Sequence, residues 1–207
     1  MSVREGRIFG TPMRLFRVSF TGELGYEVNV PADYGVAVWE AIHQAGKRYG
    51  VVPYGTEAMH VLRAEKGYII VGRETDGTVT PNDVDLSWAI GKSKSDFVGK
   101  RSLARAALAD PDRRQLVGLL TEDPSIVLEE GAQLVTTANY AIPTKSRGYV
   151  TSAYFSANLD RSIALAMVAG GLASIGERVF VAMPDASIPV QIVNPVFIDS
   201  QGKRLNG

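Results

Sequence analysis

From residue 115 to residue 193 the chain is a series of short apolar runs cut by turn residues, with no helical periodicity between them. The runs are Gln115–Leu120, Ala132–Val135, Gly148–Tyr154, Ser162–Val168, Glu177–Ala182 and Val190–Val193. Turn residues stand between them at Glu130-Gly131, Gly170-Gly171, Ile175-Gly176 and Pro184-Asp185. Strands this short bury little on their own and must pair, so the pattern limits this part of the chain to a β-sandwich or a β-barrel. The change of character falls at Pro111-Asp112-Arg113-Arg114. The expected organisation is therefore a mixed α+β part, residues 1–112, followed by an all-β part, residues 113–207.

Upstream, the spacing predicts helices over residues 33–46, 56–66 and about 99–109. In the first, Asp33 can cap, Val36, Trp39 and Ile42 form a stripe, and Gly46 ends the run. In the second, Thr56 caps, Ala58 and Leu62 share a face, and Gly67 terminates. In the third, Leu103, Ala107 and Leu108 point inward. Tyr68–Val71 reads as a short buried strand, and Asp76-Gly77 and Thr80-Pro81-Asn82-Asp83 read as turns.

The segment Arg17–Pro31, RVSFTGELGYEVNVP, reads as two short strands around a glycine turn. Phe16, Val18 and Phe20 alternate with Arg17 and Ser19, and Tyr26, Val28 and Val30 alternate with Glu27 and Asn29. Alternate side chains of a strand share a face, so Glu27 and Asn29 lie on a polar face over packed Tyr26, Val28 and Val30. A carboxylate on a rigid strand accepts two parallel hydrogen bonds and so suits a flat ligand edge with two N–H donors. On pattern alone it is the ordinary solvent face of a half-buried hairpin.

Lys+Arg and Asp+Glu are equal at 22 each, which provides no global attraction to nucleic acid or an anionic membrane. Cysteine is absent, which removes disulfides, thiol nucleophiles and thiolate metal sites and fits a cytoplasmic location. The start, MSVREGRIFG, carries no apolar run of a signal peptide, and the run Ile163–Val168 is far too short to span a bilayer. His43 and His60 are the only histidines, they lie in predicted helices, and no metal site is expected. No G-x-S-x-G, P-loop or dinucleotide fingerprint occurs. Arg63, near a helix end, has two readings: a pairing with Glu65, Glu74 or the helix C-terminal carbonyls, or a clamp for an anionic ligand tail.

Taken in order, RVSFTGELGYEVNVP, GTEAMHVLRAEKGYIIVGRETDGTVTPNDVDLSWAI, DFVGKRSL, QLVGLL and GYVTSAYFS resemble the folate-binding aminomethyltransferase family, the T-protein fold of the glycine cleavage system. GTEAMHVLRAEKGYIIVG and DGTVTP resemble most its sarcosine oxidase alpha-subunit branch, in that subunit's C-terminal part. The resemblance runs from about residue 4 to the end. It implies a partial aminomethyltransferase-like folate-binding domain followed by a C-terminal antiparallel β-barrel over about 113–199.

The resemblance also implies a tetrahydrofolate site. The glutamate that contacts the pterin in the family falls on Glu27. The tyrosine that lines the family's pterin pocket falls on Phe20, which keeps stacking and loses a hydroxyl. A folate-contacting arginine falls on Met59, which leaves His60 or Arg63 for the tail. The family's catalytic aspartate belongs to an N-terminal half with no counterpart in these residues, so no catalytic residue is assigned, and the chain is expected to be a fragment or a truncated product. The intact enzyme implied by the branch uses FAD, FMN and NAD, none held by this segment, and assembles from the rest of the alpha subunit with beta, gamma and delta subunits. Flavin oxidises sarcosine, and the one-carbon unit passes to tetrahydrofolate, leaving glycine. The alternatives are a glycine-cleavage aminomethyltransferase proper, disfavoured by Phe20 and Met59, and a non-catalytic scaffold that makes subunit contacts.

Overall fold

The computed structural model describes residues 1–207. The chain forms two compact units, Met1–Leu62 with Gln201–Gly207, and Arg63–Ser200.

In the first unit, β1 (Ser2–Ile8), β2 (Thr11–Arg17) and β3 (Glu27–Asn29) form an antiparallel sheet in that order. Helix α1 (Gly35–Gly46) follows a 3-10 turn at Ala32–Tyr34 and runs on into another at Lys47–Tyr49, where Gly50 at φ +71° stops it. Tyr34 is the N-cap, and Asp33 makes no capping bond. Only Thr11, Gly22 and Val38 are buried in this unit. The expected inner stripe of α1 is instead its outer side: Val36 is exposed and Trp39 is 63% exposed, while the buried side chain is Val38. Likewise Tyr26 and Val28 are exposed rather than packed underneath. A three-stranded sheet, one full helix and the first seven residues of α2 (Thr56–Glu65) have too little apolar mass to cover both faces of each element.

Helix α2 (Thr56–Glu65) ends as its sequence predicts, in a Schellman motif. Gly67 N–H bonds Ala64 O at 3.0 Å and Tyr68 N–H bonds Arg63 O at 2.9 Å. Gly67 sits at φ +71°, and a Cβ there would lie 2.7 Å from Pro195 O.

The second unit is built on a closed barrel of β4 (Arg114–Thr121), β5 (Gln133–Val135), β6 (Gly148–Ser156), β7 (Arg161–Ala169), β8 (Arg178–Ala182) and β9 (Ser187–Val193). All neighbours are antiparallel, in the order β4-β7-β6-β5-β8-β9. Closure leaves no open edge. Val117, Leu119, Leu134, Val150, Ala164, Ala166, Val168, Val179, Val181, Val190 and Ile192 fill the interior. The alternate residues of β7, Ile163, Leu165 and Met167, are also buried, so this strand is covered on both faces.

The compact units part at Leu62/Arg63, and residues 63–86 are bonded to the barrel and its tail. Glu65 O accepts the N–H of Phe197 at 2.9 Å and of Ile198 at 3.0 Å, and Leu116 N–H bonds Asp83 O at 2.7 Å. Tyr68–Val71 is not a strand. Ile70 spends its N–H on Glu74 Oε2 at 2.8 Å, its carbonyl accepts Arg73 and Glu74, and Val71 is exposed. The expected helix over 99–109 is two turns, α3 (Lys100–Leu103) and α4 (Ala106–Ala109), separated by an extended Arg105. Leu103 and Leu108, both half-buried, are five positions apart, a spacing that one continuous helix places on different faces.

Candidate functional site at the β2–β3 hairpin

The β2–β3 register places Phe16 opposite Glu27 and Arg14 opposite Asn29. Directly opposed residues share a face with Cβ atoms about 4.5–5.5 Å apart. Val3 lies opposite Phe16, and Glu5 opposite Arg14, on the same face. That face is thus a carboxylate beside an aromatic ring, next to an amide and an exposed Arg14–Glu5 ion pair of 2.9 Å. Leu15, Val28 and Met13 take the other face.

Glu27 is exposed, and no donor within the chain binds its carboxylate. A shallow groove of about 470 Å3 opens two residues away, lined among others by Glu5, Arg14, Asn29, Val30 and Pro31. Glu27 is not in its lining. Phe20 lies in the connection between β2 and β3 and is 37% exposed. The C-terminal tail holds this connection in place. Leu24 N–H bonds Arg204 O at 2.9 Å, Arg204 pairs with Glu23 at 2.9 Å, and Arg17 donates to Leu205 O at 3.3 Å.

Met59 and His60 are half-buried on α2, and His60 Nδ1 is 3.9 Å from Glu57 Oε2. Arg63, on the same helix, is 0% exposed. Its Nη1 meets Glu74 Oε2 at 3.1 Å and donates to Tyr68 O at 3.0 Å. Its Nη2 donates to Ser152 Oγ at 2.5 Å, and that hydroxyl donates to Glu74 Oε1 at 2.7 Å. The Tyr154 ring lies 5.9 Å from the guanidinium. Of the two readings of Arg63 the geometry matches the pairing with Glu74, and the guanidinium presents no surface to a ligand tail.

Ser152, Tyr154 and Ser156 were not singled out in the sequence, nor was Glu74 as anything beyond a turn or a partner for Arg63. Polar residues at every second position of β6 were the available signal. Ser152 serves Arg63 and Glu74, Tyr154 Oη accepts Arg73 Nη1 at 3.0 Å, and Ser156 Oγ donates to the buried Glu65 at 2.5 Å. Nearby, burial pushes the Tyr68 phenol up, and the Asp199 carboxylate adds to the rise. Burial would also raise Asp83, but hydrogen bonds from Arg113 and Thr80 outweigh it and hold the carboxyl below the usual range. These groups brace the barrel, whereas the hairpin face presents an unpartnered carboxylate, Glu27, opposite an aromatic ring, Phe16.

Residues 1–94 match the GCVT N-terminal domain model, and residues 114–199 match the glycine cleavage T-protein C-terminal barrel domain model. Sarcosine oxidase subunit alpha of Corynebacterium sp. (strain U-96) is 45% identical over 200 residues, covering 96% of this chain and 21% of that protein. The same subunit of Rhizobium meliloti (strain 1021) is 40% identical over 210 residues, covering 100% of this chain and 21% of that protein. Aminomethyltransferase of Nitrosomonas eutropha is 36% identical over 183 residues, covering 88% of this chain and 47% of that protein. The crystal structure of glycine cleavage system aminomethyltransferase T from Bartonella henselae superposes with a TM-score of 0.75 at 25% identity, over 91% of this chain and 50% of that one. The chain therefore spans about a fifth of the sarcosine oxidase subunits and about half of the aminomethyltransferases. With one family's two domain models matched in order and its barrel closed in the structure, the chain belongs to the glycine cleavage T-protein family.

Proposed function

We propose that this chain is the folate-binding, aminomethyltransferase-like segment of a sarcosine oxidase alpha subunit, with Glu27 anchoring a pterin and Phe20 stacking beside it. The observation that carries the reading is the Glu27 carboxylate, exposed and unpartnered, with Phe16 opposite and Asn29 on the same face. A pterin edge presents adjacent ring N–H and amino donors, which match a carboxylate's two acceptor oxygens. The residues present fit such a ring: one charged acceptor, one aromatic neighbour and one amide on a rigid strand.

Bound tetrahydrofolate supplies the amine nitrogens that accept a one-carbon unit. The proposed overall conversion in the intact enzyme passes that unit from oxidised sarcosine, giving 5,10-methylenetetrahydrofolate and glycine. Glu27 binds and orients, and Phe20 excludes water from one ring face. Met59 stands where the family has an arginine and Arg63 is occupied by Glu74, so the ligand's tail falls to His60. No residue of the chain is assigned a proton transfer. FAD, FMN and NAD, together with the remaining alpha-subunit chain and the beta, gamma and delta subunits, complete the proposed enzyme.

A scaffold role is the second reading, favoured by the apolar side chains that Tyr26, Val28, Val36 and Trp39 expose. Calorimetric titration of the intact enzyme with tetrahydrofolate separates the two. Saturable binding that weakens when Glu27 is replaced supports the folate reading. A flat titration leaves the scaffold.

A further inference from the structure

The charges of the chain sum to zero, yet they are not evenly spread. Between Trp88 and Arg105 stand Lys92, Lys94, Lys100, Arg101 and Arg105 against the single carboxylate of Asp96. All five cations are exposed, and none forms an ion pair. Asp96 turns inward on its own backbone, accepting the Phe97 N–H at 2.9 Å, and Lys100 donates to the Ser95 carbonyl. In the same stretch Trp88 is 69% exposed and Val98 is fully exposed. Trp88 precedes Lys92 by four residues, so at most about 14 Å of chain separates them. Elsewhere in this unit the cations are largely spoken for: Arg63, Lys66, Arg73, Arg113, Arg147 and Arg178 each pair with a carboxylate.

We infer that residues 88–105 form a docking surface for an acidic protein partner, with Trp88 as the apolar anchor and the five cations as its charged rim. An exposed tryptophan with five exposed cations in the next seventeen residues has the composition of an interface centre and rim. Unpaired like charges concentrated in one short segment attract a partner's carboxylates and steer the encounter. A membrane is the poorer occupant, because the helical turns here, α3 and α4, are four residues each and cannot lay an amphipathic face into a bilayer surface. This inference does not depend on the folate reading, since none of these residues is assigned to that site.

The test uses the whole chain with Trp39→Phe, which leaves Trp88 as the only tryptophan reporter. An oligoglutamate peptide containing leucine is titrated in, alongside an oligothymidylate of equal length and phosphatidylserine vesicles. The peptide is expected to shift Trp88 emission saturably, and binding should fall steeply as salt rises. Replacing Lys92, Lys94, Arg101 and Arg105 together by glutamate should weaken it about tenfold or more, with the circular dichroism unchanged because all four are exposed. Replacing Lys47 and Arg48 by glutamate, two exposed cations outside the segment, should leave it intact. The inference is overturned if the peptide does not bind, if the Lys47/Arg48 variant loses as much, or if the nucleic acid or the vesicles bind as well as the peptide through the same residues.

Discussion

Replacing Arg63 by methionine should unfold the second unit far more readily, and replacing Glu74 by leucine as well should reverse most of that loss. Both side chains are 0% exposed, and they are linked at 3.1 Å. Without the guanidinium, Glu74 keeps only the Ile70 N–H at 2.8 Å and the Ser152 hydroxyl at 2.7 Å, two neutral donors for a carboxylate shut away from water. Tyr68 O also loses its 3.0 Å donor. Breaking one side of a buried pair in this way costs about 3–5 kcal/mol. That is a large part of the roughly 5–15 kcal/mol that holds a typical domain. Replacing both partners with apolar groups of similar volume removes the stranded charge, and the double variant should lie within about 1–2 kcal/mol of wild type. The assay is urea unfolding followed by circular dichroism, with the four proteins of the cycle compared at equal m-value. A loss below about 1 kcal/mol for Arg63→Met, or a double variant as unstable as the sum of the singles, would refute the reasoning. Weakened folate binding in a double variant of wild-type stability would return Arg63 to the ligand.

Gly148→Ala should destabilise the barrel by about 1–3 kcal/mol or more, because the added Cβ would fall 2.1 Å from Met167 O; thermal melting measures it. Gly67→Ala meets both φ +71° and Pro195 O at 2.7 Å, and should lower the melting temperature while leaving the barrel's β-signature intact. Asp83, whose carboxyl is held below its ordinary value, contributes stability that is present above the unfolded carboxylate range and is lost as pH falls through the lower folded value. Asp83→Asn should therefore flatten the acid side of the stability curve, and an unchanged slope would contradict this. The isolated chain should show no sarcosine oxidation and no one-carbon transfer when peroxide, formaldehyde and methylenetetrahydrofolate are followed. General acid–base help is worth about 10²–10⁴-fold, and no residue here is placed to give it.

The barrel was the most legible part of the sequence. Each of its six strands matches an apolar run to within three residues at either end, because a closed barrel needs alternation along strands and turn residues between them. Strand β1 was not legible. Ser2–Ile8 is almost wholly exposed, with Arg4, Glu5 and Arg7 along it, and carries no burial pattern to read. Tyr68–Val71 looked like a strand because a short apolar run does not show whether its backbone groups find a ladder or, as here, side chains. The α1 stripe misled for a different reason. Val36 and Trp39 are apolar at helical spacing, but amphipathic spacing predicts which residues want burial, not whether this length of chain supplies the cover. At the hairpin, alternation placed Glu27 and Asn29 together, whereas Phe16 as the neighbour of Glu27 needed the cross-strand register. The choice between the two readings of Arg63 likewise needed contacts far apart in sequence, with Ser152 and Tyr154.

The most direct measurement is the tetrahydrofolate affinity of Glu27→Gln and Glu27→Ala against wild type in the intact enzyme. Glu27 has no side-chain partner within these 207 residues, so neither change removes a side-chain contact that holds this part of the fold. Losing a charge-assisted, two-pronged acceptor should cost about 2–4 kcal/mol, a drop of about 30-fold to several hundred-fold. Glutamine, which keeps one acceptor oxygen and adds donors where donors are already present, should do little better than alanine. Wild-type affinity in both variants would contradict the assignment of Glu27 as the pterin anchor.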